Sequence, residues 1–135
     1  MKTFIIDDDP ISSLLTEQSL LVEGFPEDIV TFEAAEEALG LILKNAPDGV
    51  PDIIFLDLNM PEMDGWAFLD VLESHSKQVS MKCSVYILTS SLDASDSAKA
   101  ESYALVKGFL HKPVSTEAIA AILTKHRPAG DTEWS

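Results

Sequence analysis

The sequence has little basic charge. Nine lysines and arginines stand against 23 aspartates and glutamates, a formal net charge of −14. So acidic a chain repels nucleic acid and anionic membrane surfaces, so neither is expected as a direct partner. Cations and basic protein surfaces are left as candidates. Cys83 is the one cysteine, so no disulfide closes within the chain and no cysteine metal cluster exists. That suits a reducing, cytoplasmic location. Long apolar runs are missing as well. The first one, Thr3 to Ile6, ends in three aspartates and is too short for a signal peptide or a membrane span. There is no Gly-x-Gly-x-x-Gly or Walker loop, which leaves nucleotide binding without support. A Gly-x-Ser-x-Gly elbow is absent too, which removes the usual mark of a serine hydrolase.

What is present fits one domain. The chain has 135 residues, and a hydrophobic content of 46% supplies a sizeable core. Short apolar runs alternate with longer amphipathic stretches. Strands are predicted over 3–7, 28–32, 52–57, 84–89 and 106–110. Ile53, Ile54, Phe55 and Leu56 are apolar in succession, as in a parallel strand covered on both faces. Asp9 before Pro10 predicts a capped first helix, in which Ile11, Leu14, Leu15, Leu21, Val22 and Phe25 recur at helical spacing until Gly24 and Pro26 stop it. Further helices are expected over about 33–45, from Asp64-Gly65 onward with Trp66, Leu69 and Leu72, and over about 94–104 with a thin apolar stripe. The last starts at Ser115 as N-cap, with Val114 and Ile119 spaced as a hydrophobic staple. The domain is expected to span residues 1–127, followed by a polar, fraying tail over 128–135. Five strands alternating with five helices indicate a doubly wound α/β sandwich. Ligands in such folds bind at the carboxyl ends of the strands.

Those ends carry the chemistry. Asp7, Asp8 and Asp9 close the first strand, Asp57 the third, and Thr89, Ser90 and Ser91 the fourth, while Lys112-Pro113 follows the fifth. Carboxylates brought together repel each other and raise each other's pKa unless a cation neutralises them. Oxygen ligands without cysteine or histidine suit a hard ion, Mg²⁺ before Ca²⁺ or Zn²⁺. An aspartate can also be a nucleophile that becomes an aspartyl-phosphate. Asp57, a metal held by Asp7 and Asp8, and the lysine and hydroxyl of Lys112 and Thr89 make a set suited to phosphoryl transfer.

At these residues the sequence resembles the receiver domain of two-component response regulators. The matching stretches are Phe4-Ile5-Ile6-Asp7-Asp8-Asp9, Phe55 through Gly65 (FLDLNMPEMDG), Ile87-Leu88-Thr89-Ser90 and Gly108-Phe109-Leu110-His111-Lys112-Pro113. The resemblance covers residues 3 to about 126. It implies a flavodoxin-like five-stranded parallel sheet in the order 2-1-3-4-5, flanked by five helices. It makes Asp57 the phosphoacceptor and assigns the Mg²⁺ ion to Asp7, Asp8, Asp57 and the backbone carbonyl of Asn59. Lys112 and Thr89 would contact the phosphoryl group, and Phe109 would be the aromatic that reorients when Thr89 moves. The Lys112-Pro113 bond is often cis in such relatives. Side chains at Asn59 and Ser91 would tune dephosphorylation. Ser90 departs from the frequent alanine, and the stretch 73–83 is longer and more polar than a minimal connector.

The implied function is a phosphorylation switch in a phosphorelay, not an enzyme beyond its own phosphorylation and dephosphorylation. A sensor histidine kinase or histidine phosphotransfer protein would donate the group. With the chain ending soon after the fifth helix, output is expected through a downstream protein target or onward relay, from a monomer or a phosphorylation-dependent dimer. The alternative is a Mg²⁺-dependent phosphohydrolase with an aspartyl-phosphate intermediate. Its usual Asp-x-Asp follows the first strand, however, whereas Asp57-Leu58-Asn59 follows the third. A flavodoxin-like mononucleotide binder is weaker, because the acidic cluster repels phosphate. Plainer readings hold elsewhere: Asp9 is a helix cap, Trp66 is packing, His75, His111 and His126 are surface residues, and Cys83 is a small core hydrophobe.

Overall fold

Burial in the strands sorts side chains by alternation to two faces, because successive residues of a strand point to opposite sides. The structure is a computed structural model that describes residues 2–45, 49–75, 83–90 and 94–126. Ser91, most of the connector after His75 and the tail beyond His126 lie outside the described residues. The strands are β1 (Thr3–Ile6), β2 (Ile29–Phe32), β3 (Ile53–Asp57), β4 (Ser84–Thr89) and β5 (Val106–His111). The helices are α1 (Pro10–Val22), α2 (Ala35–Asn45), α3 (Gly65–Ser74), α4 (Ala94–Ala100) and α5 (Thr116–His126). All strand pairs are parallel, in the order β2-β1-β3-β4-β5. Every residue of β3 is buried, as its unbroken apolar run requires. Phe4, Ile6, Ile54, Leu56, Val85 and Ile87 join α2, α3 and α4 in one core cluster. Ile5, Ile53, Phe55, Tyr86 and Leu88 join α1 and α5 in the other.

Helix starts follow the capping chemistry. Asp9 accepts from the backbone N–H groups of Ile11 and Ser12, with Pro10 in the first turn. Asp64 accepts from Ala67 at 2.9 Å and caps α3. The Ser115 hydroxyl accepts from Ala118 at 3.2 Å, and Val114 and Ile119 share the same core cluster as a staple would.

Helix α1 lies the other way round from its apolar spacing. Its buried residues are Ser13, Thr16 and Leu20, while Ile11 is 69% exposed, Leu14 52%, Leu15 55% and Val22 78%. Leu21 is also exposed, and of the six spaced apolar residues Phe25, beyond the helix, is the buried one. The residues at 13, 16 and 20 form one stripe at helical spacing, and two of them are small. Small residues let the helix axis approach the sheet closely, and the bulky ones then turn outward. Helix α4 also differs, ending at Ala100 rather than near 104. Ser102 and Tyr103 donate their N–H groups back to Lys99 and Ala100 in a tight turn, and the Ser102 hydroxyl takes the Lys99 carbonyl at 2.6 Å. A hydroxyl competing for helical carbonyls favours termination.

The orientation of α1 makes a prediction. Leu20→Ala costs about 3 kcal/mol, as for a fully buried leucine. Val22→Ala stays within about 0.5 kcal/mol, as at an open surface. Urea unfolding of the two variants measures both, and comparable losses contradict this orientation.

Candidate functional site

Four strand ends bring the site residues together. The Asp7 N–H extends the ladder by donating to the Phe32 carbonyl at 3.0 Å, which fixes the backbone where the side chain turns into the edge. Asp7 is fully buried and Asp8 half-buried. Asp57 is the last residue of β3 and 6% exposed, and its Oδ1 accepts from the Asn59 N–H at 3.3 Å. One carboxylate oxygen from each of Asp7, Asp8 and Asp57 lies within 4.8 Å of the others. Lys112 reaches in from beyond β5. Its Nζ donates to Asp7 Oδ2 at 2.7 Å and stands 3.7 Å from Asp57 Oδ2. The Lys112 backbone N–H also donates to the Thr89 carbonyl at 2.9 Å, which ties the ends of β4 and β5. The Lys112–Pro113 bond is cis. Thr89 is buried at the end of β4, and Phe109 is half-buried against the α2–α3–α4 cluster.

The loop after Asp57 is shaped by two backbone requirements. Glu62 adopts φ 65°, the left-handed region that turns the chain after Pro61. Gly65 opens α3 and donates its N–H to the Leu58 carbonyl at 3.1 Å. A Cβ at Gly65 would stand 2.9 Å from the Asp57 carbonyl oxygen and from Leu58, so only glycine lets α3 start this close to the site.

Electrostatics set Asp57 apart. Burial pushes its carboxyl up from 3.8 to about 6, against the lowering effect of the Lys112 ammonium. Asp7 and Asp8 push it further up, while the hydrogen bond from Asn59 pulls it down. Burial, with the two neighbouring carboxylates, therefore outweighs what one lysine and one hydrogen bond lower. The donor set fits a hard divalent cation: three carboxylates close enough to share one ion, and no histidine or cysteine among them.

Of the residues read from sequence, Asp7, Asp8, Asp57, Thr89 and Lys112 sit at this edge. The Asn59 side chain is exposed beside it. Asp9 faces outward and caps α1. His126 is not a plain surface residue: its Nε2 lies 2.7 Å from the Tyr86 hydroxyl, with the rings edge to face at 5.8 Å. Burial lowers its pKa, followed by the charge of Lys125. His75 is half-buried too, its Nδ1 3.0 Å from the Val71 carbonyl. Pairing partners forty residues apart leave no periodic trace, so sequence could not reveal the Tyr86–His126 contact. His111 is exposed and Cys83 is buried, as read.

A doubly wound parallel sheet with clustered carboxylates at its carboxyl edge narrows the class to folds that handle phosphate or metal there. The response regulator receiver domain model matches residues 3–124, and the chain belongs to that family. It is 30% identical over 142 residues to the two-component response regulator ARR2 of Arabidopsis thaliana, covering 100% of this chain and 19% of that protein. A solved two-component response regulator from Cytophaga hutchinsonii superposes with TM-score 0.80 at 30% identity, over 92% of this chain and 94% of that one. A response regulator receiver protein from Dyadobacter fermentans gives 0.79 at 27% identity, over 96% and 99%. Among the described residues no helix is long and apolar enough to cross a membrane.

The charge imbalance predicts a pH signature. A carboxyl whose folded pKa lies above its unfolded value holds its proton more tightly when folded. Its contribution to stability is full below about 3.8 and is lost as pH rises through about 6. Asp57→Asn, which removes the charge, should therefore stabilise the metal-free protein at pH 7.5 by about 1–2 kcal/mol. The gain shrinks through pH 5 and is gone near pH 4. Denaturant unfolding at the three pH values checks this, and a pH-independent difference would contradict it.

Proposed function

We propose that the chain is a phosphorylation switch of a phosphorelay: it accepts a phosphoryl group on Asp57 from a phosphohistidine and answers by changing how it binds a protein. The single observation that carries the reading is Asp57 at the end of β3, its carboxylate between those of Asp7 and Asp8 and the Lys112 ammonium. One Asp57 carboxylate oxygen attacks the phosphorus, the bond to the donor nitrogen breaks, and the imidazole leaves. Lys112 is placed to move its charge from the carboxylates to the phosphoryl oxygens. Thr89, at the end of β4, offers a hydroxyl to the same group, and Phe109, on the neighbouring strand, is the aromatic that follows it.

Mg²⁺ is the expected ion, held by Asp7, Asp8, Asp57 and the Asn59 carbonyl. Bound there, it would neutralise the carboxylates and the charge on the phosphoryl oxygens. This chain's own residues contribute the nucleophile, the fixed ammonium and a buried edge from which water is largely kept out.

The donor needs a surface beside Asp57, and α1 supports that role. Ile11 and Leu15 line a cleft of about 290 Å³ with Lys112, Pro113 and Val114. Exposed apolar side chains next to a reactive carboxylate suit a partner that must dock before it transfers. A histidine kinase or phosphotransfer protein, carrying basic residues around an apolar contact, matches this acidic chain. Turnover of substrate is not part of this reading.

Incubation with Mg²⁺ and acetyl phosphate should give one phosphoryl adduct by intact mass, absent from Asp57→Asn and absent without the metal. Leu15→Asp should keep this adduct yet slow transfer from a phosphorylated histidine phosphotransfer protein by about tenfold or more, as for an apolar contact at an interface centre. No adduct, together with no amide response to beryllofluoride, would overturn the switch.

A further inference from the structure

Helix α4 joins the core cluster at its last residue, Ala100. Among its described side chains Ala100 is buried, while Ala98 and Lys99 are exposed. The corner between α4 and β5 is also fastened from outside, by one row of α3. Trp66, Asp70 and Glu73 are spaced four and three residues apart, which puts them on one helix face. The Trp66 ring stacks on Tyr103 with centroids 5.9 Å apart and planes 22° apart. Lys99 Nζ stands 4.7 Å from the centre of the Trp66 ring. The Tyr103 hydroxyl donates to Asp70 Oδ1 at 2.6 Å, and the Leu105 N–H donates to Glu73 Oε2 at 2.8 Å. Both acceptors are carboxylates, which make the stronger class of hydrogen bond. Burial, then the bond to Asp70, push the Tyr103 phenol up to about 12, so it stays a donor at any ordinary pH.

The row is mounted on the site. It begins one residue after Gly65, whose N–H is tied to the Leu58 carbonyl and where an added Cβ would meet the Asp57 carbonyl oxygen at 2.9 Å. Its far end fixes Leu105, next to the strand that carries Phe109 and leads to Lys112. Helix α3 therefore spans from the Asp57 loop to the α4–β5 corner with directional contacts at both ends.

We propose that the Trp66–Asp70–Glu73 row is a restraint that holds the α4–β5 corner in the arrangement seen here and sets how readily the corner switches when Asp57 is modified. The proposal rests on the switch reading above. A phosphoryl group shifts the corner only by its preference for the other arrangement, and whatever the row adds to the first arrangement is subtracted from that preference. Weakening the row moves the unmodified protein toward the switched state. A merely structural contact would lower stability without moving that balance.

The test compares amide signals of Lys99, Ala100 and Phe109 in the wild type, Tyr103→Phe, Asp70→Ala and the double variant, each free and with Mg²⁺ and beryllofluoride. In the wild type the two conditions define the ends of a line for each signal. The restraint predicts that free Tyr103→Phe and Asp70→Ala signals move along that line, matching about a fivefold change in the ratio of the two arrangements, the size of one ordinary hydrogen bond. It also predicts that the double variant moves no further than either single one, because both remove the same bond. Free variants that coincide with the wild type, or move off the line, overturn the restraint while leaving the switch standing. A wild type with no response to beryllofluoride overturns the switch and the restraint with it.

Discussion

The Lys112 ammonium, set 2.7 Å from Asp7 and 3.7 Å from Asp57, is the interaction around which the carboxyl edge of the sheet is organised. Three carboxylates with oxygens within 4.8 Å of one another cannot share a largely buried edge without a positive charge among them. The parallel sheet creates that problem, because it delivers the ends of β1 and β3 side by side. It also supplies the partial solution, since β5 ends on the same edge and its continuation carries the lysine back over Thr89. Burial first, and then the neighbouring carboxylates, keep the Asp57 carboxyl up at about 6 despite the lysine. A divalent cation, and the phosphoryl group proposed above for Asp57, would each change the charge that the lysine meets at this edge.

Sequence made the fold and this edge readable because both rest on local chemistry. The strands are short β-branched runs bounded by turn residues. Asp9 and Ser115 cap the helices they were read to cap, and Asp64 stands where the third helix was expected to start. The site residues fall at strand ends, where a parallel sheet must gather them. What was hidden depends on how elements face one another. In α1 the apolar residues Ile11, Leu14, Leu15 and Val22 outnumber Leu20, yet Ser13, Thr16 and Leu20 form the buried stripe. Close approach to the sheet outweighed apolar count. Trp66 was read as packing, and packing describes its half-buried ring. The row it forms with Asp70 and Glu73 appears only once Tyr103 and Leu105 are brought against α3. The early end of α4 follows from the same contacts, since Tyr103 leaves the helix to stack on Trp66.

These hidden features connect the edge to the rest of the molecule. Ile11 and Leu15, outward-facing on α1, line one cleft with Lys112, so the docking surface proposed above adjoins the charged edge. Gly65 sets α3 directly on the Asp57 backbone, so a change at that carboxylate has a short mechanical path into a helix. Thr89 and Lys112 are tied through the backbone, and Phe109 lies on the strand that Lys112 follows. The chain thus concentrates charge at one edge and places a short helix, α4, at the corner next to it.

The central claim is that this edge is short of positive charge until a divalent cation enters it. Its most direct measurement is the pH titration of the Asp57 carboxyl carbon by NMR, first without divalent ions and then in excess Mg²⁺. The account predicts a midpoint near 6 without the ion and a clear fall, toward or below the ordinary carboxyl range, with it. A midpoint near 3.8 in both conditions would mean that Lys112 already balances the cluster and would contradict the account.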